Sequence, residues 1–263
     1  MNRLYYCVNN YNVYVVIERS MLMEISVRLS NDKMLIKEYI ERGKGLFNDG
    51  ETQRAFKEFN KAILLNNEYA ETYLVKAEAL IGMCEAFEAE KCINKYIELA
   101  PFDPKGYWKL IDIHDLIGDF DRCIYYCEKL LELHGESVTI YLKKAEFLAL
   151  LNDFKEAIAC FDICLKLNPN FYEALCGKAS SLRSLGNKNE ALEVYNKAIQ
   201  IDITKSVAYY GKSEVYVDMN KSISALIYAE KAYRIDPKNE WYKCHYSILK
   251  NVNININESP STL

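Results

Sequence analysis

Two pairs of cysteines have the spacing that would place both sulfur atoms of a pair on one face of a helix. Cys123 and Cys127 form the first pair, and Cys160 and Cys164 form the second. Residues four apart are neighbours on a helix surface, and paired thiolates are ligands for a soft metal ion such as zinc. Small apolar side chains in a helical core give the same spacing. The positions of the cysteines in a repeat, described below, favour the core.

The remaining reactive residue types form no catalytic pattern. The chain has three histidines, and it lacks the Gly-rich loop that cradles phosphate groups. The nine cysteines include no CxxC motif, and the longest early apolar run, at 13–17, is too short for a secretion signal or a membrane span. We therefore predict no catalytic activity, no cofactor, no metal, and reduced thiols in the cytoplasm.

The composition excludes several classes of partner. Half of the 263 residues are hydrophobic, which favours a folded chain. The net charge is −4 and the isoelectric point is near 5.6, and this acidic balance argues against nucleic acid as the partner. We also expect no association with a membrane.

A regular spacing of small residues shows which elements must position these side chains. Alanine or cysteine recurs at a constant spacing of 34 along the chain: Ala55, Ala89, Cys123, Ala157, Ala191 and Ala225. Prolines recur at twice that spacing, at Pro101, Pro169 and Pro237. A fixed period of this length is typical of stacked-repeat proteins. It makes Cys123 one member of a packing series.

Six consecutive blocks of this length fit without insertion or deletion: 36–69, 70–103, 104–137, 138–171, 172–205 and 206–239. Each block has two apolar stretches of helical period, separated by a short turn in which Gly, Asn and Asp predominate. His114 falls where four other blocks carry leucine, which predicts a packed residue and not a catalytic base. We expect the eighth and twentieth residues to bring the two helices close together, and the twenty-fourth and thirtieth to fill the space between hairpins.

The segments NPNFYEALCGKASSLRSLGNKNEALEVYNKAIQID and LLNDFKEAIACFDICLKLNPN resemble tetratricopeptide repeats (TPRs). The resemblance covers residues 36–239. It implies an all-α fold, namely a right-handed superhelical solenoid of six TPR helix hairpins plus a C-terminal capping helix, with a concave groove lined by the first helices. The RNA-binding pentatricopeptide repeats have a slightly longer period, and the constant spacing of 34 with the acidic charge disfavours that family.

The TPR resemblance implies that the second, fifth, ninth and twelfth residues of each block face the groove. The candidate contacts at these places combine apolar and acidic side chains: Leu74, Glu78, Trp108, Asp112, Asp115, Leu142, Glu146, Tyr210 and Glu214. Such a surface suits a protein or peptide with apolar and basic residues. The alternative is a solvated helix face without a ligand. Trp108, Asp112 and Asp115 lie in the third block, which departs most from the pattern, and this block is either a binding hot spot or a drifted repeat.

The predicted function is a protein- or peptide-binding TPR scaffold or adaptor without catalysis of its own. The alternative is a non-catalytic regulatory or substrate-recruiting subunit of a separate enzyme, and self-association through an edge of the superhelix is a further possibility. TPR co-chaperones that bind acidic heat-shock chaperone tails carry Lys at the fifth and Asn at the ninth place. No block has Lys at the fifth place, and none has Asn at the ninth. We therefore predict no binding of such tails.

The two ends lie outside the repeat. Residues 1–35 are a non-repeat segment in which 11–17 could form a strand, pack on the first helix or be disordered, and methionines at 21, 23 and 34 are possible later start sites. Residues 240–250 are expected to form the capping helix, with Trp241, Cys244, His245, Ile248 and Leu249 on its covered face. We expect Trp241 to act as a lid over the last repeat. Residues 251–263 are expected to be a polar tail.

Overall fold

The computed structural model describes the backbone of residues 3–8 and 13–258, and the side chains of residue 24 and residues 26–252. Two antiparallel strands come first, β1 (Arg3–Val8) and β2 (Val13–Glu18), and their pairing runs from Arg3 opposite Glu18 to Val8 opposite Val13. Of the alternatives for the N-terminal segment, residues 13–17 therefore form a strand. Tyr11 and Asn12 lie outside the described residues.

Thirteen helices follow in the described part of the chain: α1 (Arg19–Asn48), α2 (Thr52–Leu65), α3 (Ala70–Gly82), α4 (Ala86–Leu99), α5 (Pro104–Ile117), α6 (Phe120–His134), α7 (Val138–Leu150), α8 (Phe154–Leu167), α9 (Tyr172–Ser184), α10 (Lys188–Ile201), α11 (Ser206–Asp218), α12 (Ser222–Ile235) and α13 (Glu240–Glu258). From α3 onward, the first residues of the odd-numbered helices keep the constant spacing of 34. The predicted all-α repeat fold is confirmed for the region that follows the hairpin.

The chain divides into two compact units, residues 1–117 and residues 118–263. In the first unit α1 packs on α2 and α3 packs on α4, while α1, α3 and α5 contact one another in succession. In the second unit the pairs are α7/α8, α9/α10 and α11/α12, and α7, α9 and α11 form the corresponding row. Within each unit, the first helices of successive hairpins therefore share one face.

A left-handed residue ends the turn within every hairpin. The backbone φ is positive, between 56° and 84°, at six positions that repeat with the period of the helices: Gly50, Cys84, Gly118, Asn152, Gly186 and Asn220. Glycine and asparagine accept this conformation readily, whereas other side chains meet the following carbonyl oxygen. Among these six residues, Cys84 is therefore the one whose side chain disfavours the left-handed backbone conformation.

The small-residue series forms the centre of each hairpin, as predicted. All six residues of the twentieth series are fully buried, and the eighth and twenty-fourth residues of every block are buried as well. The expectation for the thirtieth residues is wrong. Five of these six side chains, for example Leu167 and Ile201, remain more than one third exposed, because they lie at the last turn of the second helix, where the next hairpin no longer covers them.

Both ends of the array contain more helix than predicted. Helix α1 begins at Arg19, although residues 1–35 were expected to precede the first helix, and the stretch between Arg19 and Ile36 contains no glycine or proline to stop a helix. Helix α13 continues to Glu258, well beyond the expected capping helix 240–250. The predicted polar tail 251–263 is thus helical through 258, and its last five residues lie outside the described residues.

Candidate functional site

The first helices of the second unit surround a cavity of about 750 Å³. Its wall is built from α7, α9 and α11, Tyr195 of α10, the loop before α11, and the end of α12. Three predicted groove contacts meet in this cavity, Glu146, Tyr210 and Glu214. The other lining residues that matter below are Tyr172, Glu173, Gly177, Tyr195, Lys205, Val207, Gly211 and Asp236.

Two glycines hold the floor of the cavity close to the aromatic rings of the preceding second helices. A Cβ atom on Gly177 would lie 2.3 Å from the Cζ atom of Phe161, and one on Gly211 would lie 2.3 Å from Cζ of Tyr195. Real Cβ atoms do not approach that closely, so the rings occupy the space that a side chain would need. Because both rings are buried, any side chain at these two positions of α9 and α11 would have to displace a ring.

Four carboxylates line the cavity, and three of them pair with a basic residue. Glu146 Oε2 accepts from Lys143 Nζ at 2.9 Å, and Glu173 Oε1 accepts from Lys205 Nζ at 2.8 Å. Glu214 Oε2 lies 2.9 Å from the Arg183 guanidinium. The Lys143–Glu146 and Lys205–Glu173 pairs are solvent-exposed, where ion pairs hold weakly.

Glu214 has the least favourable environment of the three paired carboxylates. Burial raises the pKa of the Glu214 carboxyl, although the Arg183 guanidinium acts in the opposite direction. Arg183 is shared, since its Nε atom also donates to Asp218 at 2.5 Å. Because burial disfavours the charged form of Glu214, a further cation in the cavity would stabilise that form.

Tyr172 fixes the loop on one side of the cavity. Its hydroxyl oxygen accepts from the backbone amide of Ala208 at 3.0 Å, and the hydroxyl lies 3.4 Å from the carbonyl oxygen of Lys205. The Lys205 ammonium sits 4.5 Å from the centre of the Tyr172 ring, within the range of a cation–π contact. Tyr172 thereby joins α9 to the start of α11 and holds Lys205 against Glu173.

In the first unit, Glu78 lines a separate cavity of about 300 Å³, together with Lys44 and Phe47. Lys109 Nζ lies 3.6 Å from Glu78 and 3.2 Å from Asp112, so one lysine partly neutralises two predicted acidic contacts. The acidic stripe is therefore weaker in the first unit than the ninth residues alone indicated.

The remaining predicted contacts line neither cavity. Leu74 is buried and Trp108 half-buried, while Asp112 and Asp115 are exposed. Leu142 packs against the core formed by α7 and α8. The structure thus brings together Glu146, Tyr210 and Glu214 but leaves the other six predicted residues elsewhere.

Sequence reasoning missed several residues that line the larger cavity or pair with its carboxylates. Glu173 and Arg183 occupy the second and twelfth places of their block, which the TPR resemblance had marked as groove-facing, so that signal was present. No pattern in the sequence singled out Tyr172 or Lys205, because their contacts join helices that are distant in the sequence.

The paired cysteines are buried, as the core interpretation expected. Burial raises the pKa of the Cys127 thiol to about 12 and that of Cys164 to about 11, so both stay protonated at neutral pH and are weak ligands and nucleophiles. His114 is buried, with Nε2 3.6 Å from Glu90. Within the described residues, no group of three or more His, Cys, Asp or Glu side chains is placed to hold a metal ion.

The predicted covered face of the capping helix is wrong for three of its five residues and confirmed for Leu249. Trp241, Cys244 and Ile248 are exposed, whereas Tyr242 and Leu249 are buried against the last hairpin. The covered residues begin at Tyr242 and not at Trp241, because Tyr242 packs with Tyr209 and the buried Ala232. Trp241 therefore does not act as a lid.

No helix in the described part of the chain is both long and apolar enough to cross a bilayer.

The family model described as tetratricopeptide repeat matches residues 138–171, 172–202 and 206–239, which correspond to α7/α8, α9/α10 and α11/α12. Residues 138–239 form three tetratricopeptide repeats. Repeats of this family form scaffolds that are typical of protein–protein interaction. No curated protein matches this chain.

Solved structures share the fold at low sequence identity. The crystal structure of YrrB, described as a TPR protein with an unusual peptide-binding site, is 24% identical, with a TM-score of 0.54 over 70% of this chain and 95% of that one. TTC0263 from Thermus thermophilus is 15% identical, with a TM-score of 0.55 over 68% of this chain and 98% of its own. Yeast Tom70 is 19% identical, with a TM-score of 0.59 over 86% of this chain and 48% of its own.

Proposed function

We propose that this protein is a non-catalytic scaffold that binds a protein segment carrying basic and apolar residues in the cavity between α7, α9 and α11. The observation that carries the proposal is the meeting of Glu146, Glu214 and Tyr210 in one open cavity of about 750 Å³. The peptide-binding site named for YrrB supports the same use of this fold.

Charge favours a basic ligand residue over an acidic one. The cavity is lined by the carboxylates of Glu146, Glu173, Glu214 and Asp236, and Lys205 is the one basic residue among its described lining residues. Because Glu214 lies where burial raises its pKa, an incoming guanidinium or ammonium group would stabilise its charged form. Tyr210 and Val207 offer apolar surface beside these acids.

We further propose a reducing, cytoplasmic location, since the eight described cysteines are free thiols.

Peptide selection followed by calorimetry tests the proposal. Twelve-residue peptides displayed on phage are selected on the wild-type protein, and the Kd of synthetic copies is measured by isothermal titration calorimetry. We expect enrichment of Lys or Arg beside apolar residues. The double variant Glu146→Gln/Glu214→Gln should bind about tenfold more weakly, since charged pairs at a partly desolvated site matter most.

Glu193→Gln is the matched control, because Glu193 is exposed on α10 and does not line the cavity. It removes one negative charge from the same unit and should leave the Kd unchanged. Selection of acidic peptides, or equal binding by the double variant and the wild type, would overturn the proposed function.

A further inference from the structure

One side of the capping helix α13 carries an uncovered apolar stripe. Trp241 is 78% exposed, Ile248 56% and Val252 43%, and the exposed Cys244 lies between the first two. These residues follow one another at i, i+3, i+7 and i+11, which places them on a single side of a helix. A terminal helix that served only to cap the solenoid would carry polar residues there.

Contacts of the covered residues show that this stripe lies on the side of α11. The Oγ atom of Ser213 in α11 is 2.9 Å from Nε2 of His245. The ring of Tyr246, in contrast, stacks on the ring of Tyr233 in α12, with the ring centroids 5.5 Å apart. At about 100° per residue, Trp241 and Ile248 lie beyond His245 and away from Tyr246. The stripe therefore faces the side on which the first helices of the unit are arranged.

The same side of α11 forms part of the cavity wall. The ring of Tyr210, which lines the cavity, contacts the ring of His245 at 5.1 Å between centroids. Val207 also lines the cavity and is 48% exposed. The apolar stripe on α13 thus continues from Val207 and Tyr210 of the cavity wall, one helix further along the row.

The repeat register shows how the surface changes along this row. The ninth residue of each first helix is Glu146 in α7, Ser180 in α9 and Glu214 in α11. The equivalent residue of α13 is Ile248, and Trp241 follows Glu173 and Val207 at the second place. Each of α7, α9 and α11 carries a carboxylate at the second or the ninth place, whereas both places are apolar in α13.

We infer that the apolar stripe of α13, formed by Trp241, Cys244, Ile248 and Val252, is the apolar end of the binding surface. Its occupant is a segment of the bound partner that carries an aromatic or aliphatic residue close to its basic residue. This inference rests on the proposed function. The basic residue enters the acidic cavity, and charge complementarity there fixes the apolar residue next to the stripe.

The spacing within the partner follows from helix dimensions. Neighbouring packed helices lie about 8–10 Å apart, and an extended chain advances about 3.3 Å per residue. An extended segment therefore needs about three residues to pass from the carboxylate of Glu214 to the stripe on α13. We expect selected peptides to carry the basic and apolar anchors two to four positions apart.

The test uses the full-length protein and the peptides selected on it. Kd values are compared for the wild type, Trp241→Ala and Ile248→Ser, with Ile223→Ser as the matched control. Ile223 is an isoleucine of similar exposure (72%) on α12, outside the cavity and the stripe. We expect Trp241→Ala and Ile248→Ser each to bind about tenfold more weakly, with Ile223→Ser like the wild type. Circular dichroism checks that each variant keeps its helix content.

The outcomes separate this inference from the proposed function. Peptides that lose affinity for the Glu146→Gln/Glu214→Gln protein but bind Trp241→Ala and Ile248→Ser normally would overturn the inference and leave the proposed function standing. Selection without basic residues would overturn both. Concentration-dependent dimerisation in analytical ultracentrifugation, abolished by Ile248→Ser but not by Ile223→Ser, would also overturn the inference, because a second copy would then cover the stripe.

Discussion

Replacement of Gly177 by alanine tests the tight packing beneath the candidate site. Gly177 lies in the middle of α9, and its added Cβ would lie 2.3 Å and 2.5 Å from Cζ and Cε1 of Phe161. Carbon atoms in contact normally lie about 3.5–4.0 Å apart, so the ring must move by about 1 Å. Phe161 is only 2% exposed, which leaves the ring little room to do so.

Two opposing free-energy changes decide the result. Alanine in a helix interior is favoured over glycine by about 0.8–1.0 kcal/mol, while overpacking of a tight core costs about 1–3 kcal/mol. We expect Gly177→Ala to lower the free energy of unfolding by about 1 kcal/mol. Gly45→Ala is the control, since Gly45 lies in α1 with no atom within 4 Å of the added Cβ, and it should raise the free energy of unfolding by about 0.5–1 kcal/mol.

Urea unfolding followed by far-ultraviolet circular dichroism measures both changes, and hydrogen exchange of the α9 and α1 amides assigns each change to its helix. The double variant Gly177→Ala/Phe161→Leu supplies the second check, because a smaller side chain at 161 should remove most of the penalty for alanine. If Gly177→Ala stabilises the protein as much as Gly45→Ala does, the ring does not occupy the space beside Gly177 and the packing argument fails.

Three further predictions concern a turn, the capping helix and the partner. Cys84→Gly should raise the free energy of unfolding by about 1 kcal/mol in urea titrations, because Cys84 has a φ of 61°; no gain would contradict the strain. Burial lowers the pKa of His245 below 6.5, so the unfolded state binds the proton first and stability falls as the pH drops below 6.5. His245→Asn should reduce this loss between pH 7 and pH 5, and equal slopes for variant and wild type would refute the assignment. An EEVD-type chaperone tail should show no binding in calorimetry, and micromolar affinity would disprove this expectation.

The repeat pattern predicted the parts of the fold that depend on local chemistry. The constant spacing of 34 located the helix hairpins, the buried small residues and the turns, because each hairpin packs in the same way as its neighbours. It also interpreted Cys123 and His114 as core residues, and both are buried. The pattern failed at the ends, where α1 and α13 have no equivalent neighbour on one side.

The candidate site was only partly predictable from the same pattern. Groove-facing positions identified Glu146, Tyr210 and Glu214, which line one cavity. The pattern marked the position of Arg183 as groove-facing but did not single out Lys205, and neither residue could be paired from it with its carboxylate of that cavity. Charge balance in a groove depends on side chains from several helices, and a position within one repeat does not contain that information.

The sequence by itself determined the helical repeat, the positions of its core and its class of fold, since these follow from the spacing of side chains along single helices. The tertiary structure alone decided which acids share a cavity and which side of α13 is covered. Tyr242 packs against the last hairpin while Trp241, one residue earlier, stays exposed. A rotation of about 100° between consecutive helix residues separates the two, and only contacts with α11 and α12 fix it.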